Sequence, residues 1–213
     1  MKLSSINISQ YDVIGFDMDG TLYNELNYIS QVYVPIAKLI ASTTLINEEA
    51  IYIWMKNRWI EKGSSYPYIF EEVLKMCNSN DFHLIEECVT IFRNFTPTLE
   101  LIDNVLQLLE RISIEKSIFI VTDGNPLLQR KKFSSLQLHR WTLMENVVFT
   151  GDFDKNHFKP SISAVKHIKC LQSEKPLKVL FFGDREIDRQ FAENADFDFV
   201  MVEKFNQFWE CDE

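Results

Sequence analysis

Val13-Ile14-Gly15-Phe16-Asp17-Met18-Asp19-Gly20-Thr21 is an apolar run that stops at two carboxylates two residues apart and then turns on a glycine. A short run without polar interruption, closed by Asp and Gly, reads as a strand buried on both faces that ends in a turn. With its lead-in this first run covers residues 11–17, and others of the same kind recur at 117–123, 147–151, 178–184 and 197–202. Helix-length segments lie among the later runs, at 99–111, 126–138, 161–171 and 185–193. Strand and helix in alternation predict an α/β fold on a parallel sheet five strands deep.

The alternation breaks once, between Leu22 and Thr96. Four helical patterns follow one another there, at 29–42, 47–62, 67–77 and 81–95, with apolar residues at mixed three and four spacing, as in Ile51, Trp54, Met55 and Trp59. Pro97 starts the return to the core, and residues 23–27 form the other side of the hinge. The expected organisation is therefore a core of residues 1–23 and 97–213 with a helical bundle, 24–96, inserted in it. Trp54, Trp59, Tyr66 and Tyr68 are expected in the core of that bundle. Because the insert leaves the core just after the first run, it is expected to act as a lid over the strand ends. Arg58 and Lys62, just before Gly63, are its candidates for substrate contact.

A chain of 213 residues that is 46% hydrophobic and 25% charged has ordinary globular composition, which excludes a disordered tail or a fibre. Its formal net charge of −9 argues against a general nucleic-acid binder, which needs a basic surface to displace counterions. No run approaches the roughly 18 apolar residues of a membrane span. Cys77, Cys88, Cys170 and Cys211 lack zinc-site spacing and read as reduced thiols, so the expected location is cytoplasmic. His83, His139, His157 and His167 show no metal spacing. Arg130, Lys131 and Lys132 are expected on a solvated helix face.

Four of the six glycines, Gly20, Gly124, Gly151 and Gly183, neighbour an acidic residue where an apolar run ends, and strand ends are where open parallel sheets bind ligands. Asp-x-Asp-Gly-Thr would arise by chance in about one chain of this length in a thousand. With a strand in front of it, the motif resembles the first motif of the haloacid dehalogenase superfamily of phosphohydrolases. The later motifs follow in that family's order: Thr122 in Ile120-Val121-Thr122-Asp123-Gly124, Lys159 in Phe158-Lys159-Pro160-Ser161, and Gly183-Asp184 with Asp188 four residues on. The resemblance spans nearly the whole chain and points to the phosphatase branch of the helical-cap subclass. It implies a Rossmann-like, doubly wound parallel-sheet core with an inserted α-helical cap domain. It also implies Mg²⁺ held by Asp17, the backbone carbonyl of Asp19, and Asp184, with Asp188 orienting its neighbours.

Each position makes chemical sense by itself. A carboxylate attacks phosphorus and holds it as an acyl phosphate, which makes Asp17 the expected nucleophile. A second acid beside it protonates the leaving alcohol and then deprotonates water, the role expected of Asp19. Two anions meeting a dianionic phosphate require a hard cation. Thr122, Asp123, Gly124 and Lys159 form the expected phosphate-binding set: a hydroxyl, the turn into a helix start at Asn125-Pro126, and a positive charge. Asp123 stands where the family commonly has Asn, and a carboxylate there repels phosphate unless it points away or caps the next helix.

The expected function is a Mg²⁺-dependent phosphomonoester hydrolase, monomeric or homodimeric, acting on a small phosphorylated metabolite, with no nucleic-acid or membrane partner. The alternatives are a phosphomutase with the same core residues and a catalytically silent phosphate- or metabolite-binding regulator. A haloacid dehalogenase is disfavoured because that branch lacks the second Asp, and Asp19 is present.

Overall fold

The computed structural model describes residues 6–79 and 81–202. From the N-terminus the elements are β1 (Val13–Phe16), α1 (Glu25–Thr43), α2 (Glu48–Lys62), α3 (Ile69–Met76), α4 (Phe82–Asn94), α5 (Asp103–Ile112), β2 (Ser117–Thr122), α6 (Pro126–Ser135), β3 (Val147–Phe149), β4 (Val179–Gly183), α7 (Glu186–Asn194) and β5 (Asp198–Met201). The chain divides into two units, Met1–Glu25 with Thr98–Glu213, and Leu26–Pro97. The sequence put the joins at 23/24 and 96/97.

In the first unit the five strands are all parallel, in the order β3-β2-β1-β4-β5. Every residue of β1 is buried, as a central strand with both faces covered requires. The chain steps outward from β1 to β2 and β3, then crosses back to β4 and β5. The reversal of order at β1 leaves a crevice beyond its carboxyl end, where doubly wound sheets bind ligands. Alternate side chains point to opposite faces. Phe16 and Phe182 stack on one face at 5.1 Å. On the other face Val13, Phe119, Val121, Val179 and Phe181 join Phe191 and Ala192 of α7 in the core.

Gly15 sits between Phe119 and Phe181, its register partners on β2 and β4. Their rings stack at 5.8 Å across it, and a Cβ on Gly15 would lie 2.1 Å from Phe119 Cζ.

One expected helix has a different form. Residues 161–171 make two short 3₁₀ segments, Ile162–His167 and Lys169–Leu171. The apolar residues Ile162, Val165, Ile168 and Leu171 recur every three positions, and a 3₁₀ helix, with three residues per turn, keeps such a row on one side. Ile168 is buried in the core, with Val165 and Leu171 packed against it.

The second unit holds α2, α3, α4 and all of α1 beyond Glu25. Asn47 caps α2 through Glu49 N and Ala50 N, and Asp81 caps α4 through His83 N and Leu84 N. The buried residues include Tyr28, Ile29, Val32, Tyr33, Ile36 and Ile40 of α1, with Ile51, Met55, Val73, Leu74, Leu84 and Cys88. The aromatics expected there lie outside this core. Trp54, Trp59 and Tyr66 are half-buried and Tyr68 is exposed, because the tyrosines of α1 fill the bundle instead.

Among the described residues no helix is long and apolar enough to cross a membrane. Cys77, Cys88 and Cys170 are free thiols, and Cys211 lies outside the described residues. Gly15→Ala is expected to cost about 1–3 kcal/mol of stability by forcing Phe119 aside. Urea unfolding should show a lower midpoint at unchanged slope; an unmoved midpoint would mean that the ring yields freely.

Candidate active site

Four strand ends and the loop before Pro160 supply the site. β1 gives way to Asp17, whose N–H donates to Phe182 O on β4 and so carries the pairing one residue past the strand. The chain then turns, with Leu22 N–H closing on Met18 O at 3.0 Å. Gly20 is the pivot of that turn. Its φ is +76°, and a Cβ there would lie 2.4 Å from Asp184 Oδ2, so a side chain is excluded by both conformation and space.

Lys159 and Asp17 are both buried, as is Asp188. The Lys159 ammonium donates to Asp17 Oδ1 at 2.5 Å and to Asp188 Oδ1 at 2.5 Å. Asp188, in the first turn of α7, accepts from Arg185 N–H through its other oxygen at 3.0 Å. Both oxygens of Asp188 are thereby engaged. Asp17 Oδ2 and Asp184 Oδ1, by contrast, are buried and have no hydrogen-bond partner.

One oxygen from each of Asp17, Asp184 and Asp188 lies within 4.8 Å of the others. With Asp188 committed to Lys159 and to backbone, the bare oxygens of Asp17 and Asp184 are the ones suited to a hard cation. The residues present therefore fit Mg²⁺.

The surroundings explain the charge states. Burial pushes the Asp17 carboxyl up, Lys159 opposes this and Asp188 adds to it, leaving it at about 7. Burial and the charges of Asp17 and Asp188 push Asp184 up to about 8. Burial alone would depress Lys159, but Asp17 and Asp188 outweigh it and hold the ammonium form. Burial would also raise Asp19; the charge of Lys132, with hydrogen bonds from Lys132, Tyr23 and Gln129, holds it below the usual carboxylate range instead.

Thr122 ends β2 with its side chain buried. Beyond it Gly124 adopts φ +127°, and Asn125 caps α6 by accepting from Leu128 N–H at 3.1 Å. With Pro126 at the first helical position, this end of α6 follows the expected helix-start pattern.

The carboxylate of Asp123 is engaged by neighbouring protein donors. Its Oδ1 accepts from the Thr150 hydroxyl at 2.8 Å and from Lys159 N–H at 3.3 Å. It ties the ends of β2 and β3 to the loop that carries Lys159, and the cap of α6 is Asn125.

The basic run on α6 departs from expectation at Lys132. At 100° per residue, positions 130 and 132 point to nearly opposite sides of a helix. Arg130 is exposed and makes a bidentate pair with Asp152 at 2.8 and 2.6 Å. Lys132, only 4% exposed, turns inward and donates to Asp19 Oδ1 at 2.6 Å. Gln129, one turn earlier, donates to Asp19 Oδ2 at 2.6 Å, and the Tyr23 hydroxyl donates to Asp19 Oδ1. Sequence reasoning missed these three residues, together with Arg185 and Glu25, whose charges couple to Asp17 and Asp184. A usable signal was position: Leu128, Gln129, Lys132 and Phe133 fall on one helical face, and two of the four are apolar.

In the second unit Arg58 is held by Glu72, at 2.6 and 2.9 Å, and by Glu61 at 2.7 Å, while the Tyr66 hydroxyl also donates to Glu72. Lys62 pairs with Glu61 at 3.1 Å. The structure thus places both expected cap residues in an ion-pair network that joins α2 to α3.

The sequence matches the haloacid dehalogenase-like hydrolases over residues 11–196. The chain belongs to this family. Solved structures similar to this haloacid dehalogenase-like hydrolase include a subfamily IA, variant 1 hydrolase from Geobacter sulfurreducens, with TM-score 0.65, 18% identity, and coverage of 90% of this chain and 87% of that one. A Thermotoga maritima protein assigned as a β-phosphoglucomutase has TM-score 0.64, 18% identity, and coverage of 95% and 88%. A Lactobacillus plantarum protein assigned as a phosphoglycolate phosphatase has TM-score 0.57, 19% identity, and coverage of 94% and 88%. At these identities the likeness is one of fold. No curated protein matches the sequence.

Asp123→Leu is expected to destabilise this hydrolase by about 1–3 kcal/mol, because it removes the acceptor shared by two buried donors. Asp123→Asn, which keeps an oxygen there, should cost clearly less. Equal losses in urea unfolding would contradict the role given to Oδ1.

Proposed function

We propose that this hydrolase is a Mg²⁺-dependent phosphatase that cleaves a small phosphomonoester through an aspartyl-phosphate on Asp17. The observation that supports the reading most is the asymmetry of the Asp17 carboxylate: Oδ1 is fixed on Lys159, while Oδ2 is buried and bare. A nucleophile held by one oxygen presents its carboxylate in a defined orientation, which lowers the entropic part of the barrier.

The Asp17 carboxylate attacks phosphorus, the P–O ester bond breaks, and the departing alcohol oxygen takes a proton from Asp19, which must carry it into the step against donors that favour its carboxylate form. Asp19 then takes a proton from a water, which attacks the acyl phosphate and returns Asp17 as carboxylate. The balance is monoester plus water to alcohol plus phosphate. Lys159, the Thr122 hydroxyl and the first amides of α6 offset charge on the phosphoryl oxygens. Bound by Asp17, Asp184 and the Asp19 carbonyl, Mg²⁺ supplies a hard positive charge against the repulsion between carboxylates and phosphate.

Asp17→Asn tests the reading directly. The amide keeps the shape and is a poor nucleophile, so hydrolysis of 4-nitrophenyl phosphate in Mg²⁺ should fall to background in a protein whose circular dichroism is unchanged. Turnover by the folded variant would overturn the covalent route.

A second test uses pH. Asp17 and Asp184 both titrate above their ordinary value of 3.8 in the folded protein. Their stabilising contribution is therefore full in acid and is lost as pH rises through about 7 to 8. Metal-free Tm should fall from about pH 4 to about pH 8, and Mg²⁺ should raise Tm more at the upper end, where both carboxylates are ionised. A Tm increment from Mg²⁺ that is flat or falls with pH would contradict the assignment of these two ligands.

A further inference from the structure

Asp19 carries a short side chain on a turn, and nothing in its own backbone fixes where its carboxylate points. Donors from two separate elements fix it instead. Lys132 Nζ and the Tyr23 hydroxyl reach Oδ1, and Gln129 Nε2 reaches Oδ2 at 2.6 Å. The same Gln129 nitrogen lies 2.8 Å from Thr122 Oγ1 and 2.7 Å from the Asp123 carbonyl oxygen. Two amide protons are thus shared among three oxygens, and the acid–base carboxylate and the phosphate-binding hydroxyl hang on one side chain.

The arrangement is costly as packing. Gln129 Oε1 is buried with no hydrogen-bond partner, and Lys132 lies on the buried face of α6 beside Leu128 and Phe133. Unpaired buried acceptors and buried ion pairs are weak devices for stability, and apolar residues of similar size serve as well or better. Local rules are broken in this way mainly at functional sites.

We propose that Gln129 and Lys132 are positioning residues that hold Asp19 for proton transfer to the leaving group and from water. The proposal rests on Asp19 being the acid–base of the phosphatase reading. It predicts an effect graded by the leaving group, because a good leaving group departs without a proton and a poor one does not. Water attack on the acyl phosphate needs the base whichever ester was used.

The experiment compares wild type, Lys132→Met and Gln129→Leu on a series of substituted phenyl phosphates, from 4-nitrophenyl to phenyl, in Mg²⁺. In Lys132→Met kcat/KM for 4-nitrophenyl phosphate is expected to stay within a few-fold of wild type, while that for phenyl phosphate falls by about 10- to 100-fold, part of the roughly 10²–10⁴ that acid–base catalysis supplies; Gln129→Leu, which also releases the Thr122 hydroxyl, should show the same grading on top of a loss common to every ester. Stopped-flow traces with the nitrophenyl ester should show a burst of nitrophenolate followed by slow turnover, as the phosphoenzyme waits for its base. A purely uniform loss, or no loss, in Lys132→Met, or a Gln129→Leu loss with no grading by leaving group, would overturn the positioning role. Absence of turnover by wild type, or turnover by Asp17→Asn, would instead overturn the phosphatase reading beneath it.

Discussion

The site depends on one buried ammonium shared by two buried carboxylates. Lys159 donates to Asp17 and Asp188, and the side chains of all three are essentially shielded from water. Removing one member of such a group strands a charge, at a cost of about 3–5 kcal/mol. The positions of the loops follow from that. Asp17 arrives at the end of β1, Asp188 in the first turn of α7, and Lys159 on a loop that Asp123 holds to the end of β2. A shift of any of the three breaks a charged hydrogen bond, so strand ends far apart in sequence are locked to one another.

The sheet makes the meeting place and the glycines make the room. Parallel register places the ends of β1, β2 and β4 side by side at the reversal of strand order. Gly15 admits the Phe119–Phe181 stack beneath, and Gly20 lets the first turn pass against Asp184. The consequence is an asymmetric acidic cluster. Asp188 is fully satisfied by protein donors, Asp17 is half satisfied, and one oxygen of Asp184 is bare. Bare carboxylate oxygens in a buried acidic cluster suit a hard cation, and the raised values of Asp17 and Asp184 express the same excess of buried negative charge as an appetite for protons.

The strands were legible because fully buried β-structure admits only unbroken apolar runs, and the residues that end them stand out. That is why Asp17, Asp19 and Asp184 could be singled out from sequence, with Thr122, Lys159 and Asp188 added by the family's motif order. Gln129 and Lys132 were hidden by their polarity, since a Gln and a run of three basic residues read as a solvated face. Rotation by 100° per residue sends Arg130 outward and Lys132 inward, and no composition rule registers it. The segment at 161–171 misled through period: apolar spacing of three suits a 3₁₀ row and passes for a helix at coarse reading. In the bundle, aromatic identity suggested a core of Trp54, Trp59, Tyr66 and Tyr68, whereas burial went to Tyr28 and Tyr33 of α1, which lie on its apolar stripe. Arg58 and Lys62 were noticed for their charge; of the acids that bind them, Glu61 is one turn from Arg58 on α2 and was in plain view, whereas Glu72 is on α3 and meets Arg58 only in the fold.

The proposed phosphatase route requires that Asp17 become covalently phosphorylated, and an acyl phosphate can be caught chemically. Borohydride reduces an acyl phosphate to the alcohol and leaves free carboxylates untouched. Acid quenching of the enzyme during turnover of an aryl phosphate in Mg²⁺, followed by borohydride and peptide mass spectrometry, should convert residue 17 alone to homoserine, and only when substrate is present. Unmodified Asp17 in samples that were turning over, or homoserine at another aspartate, would contradict the account.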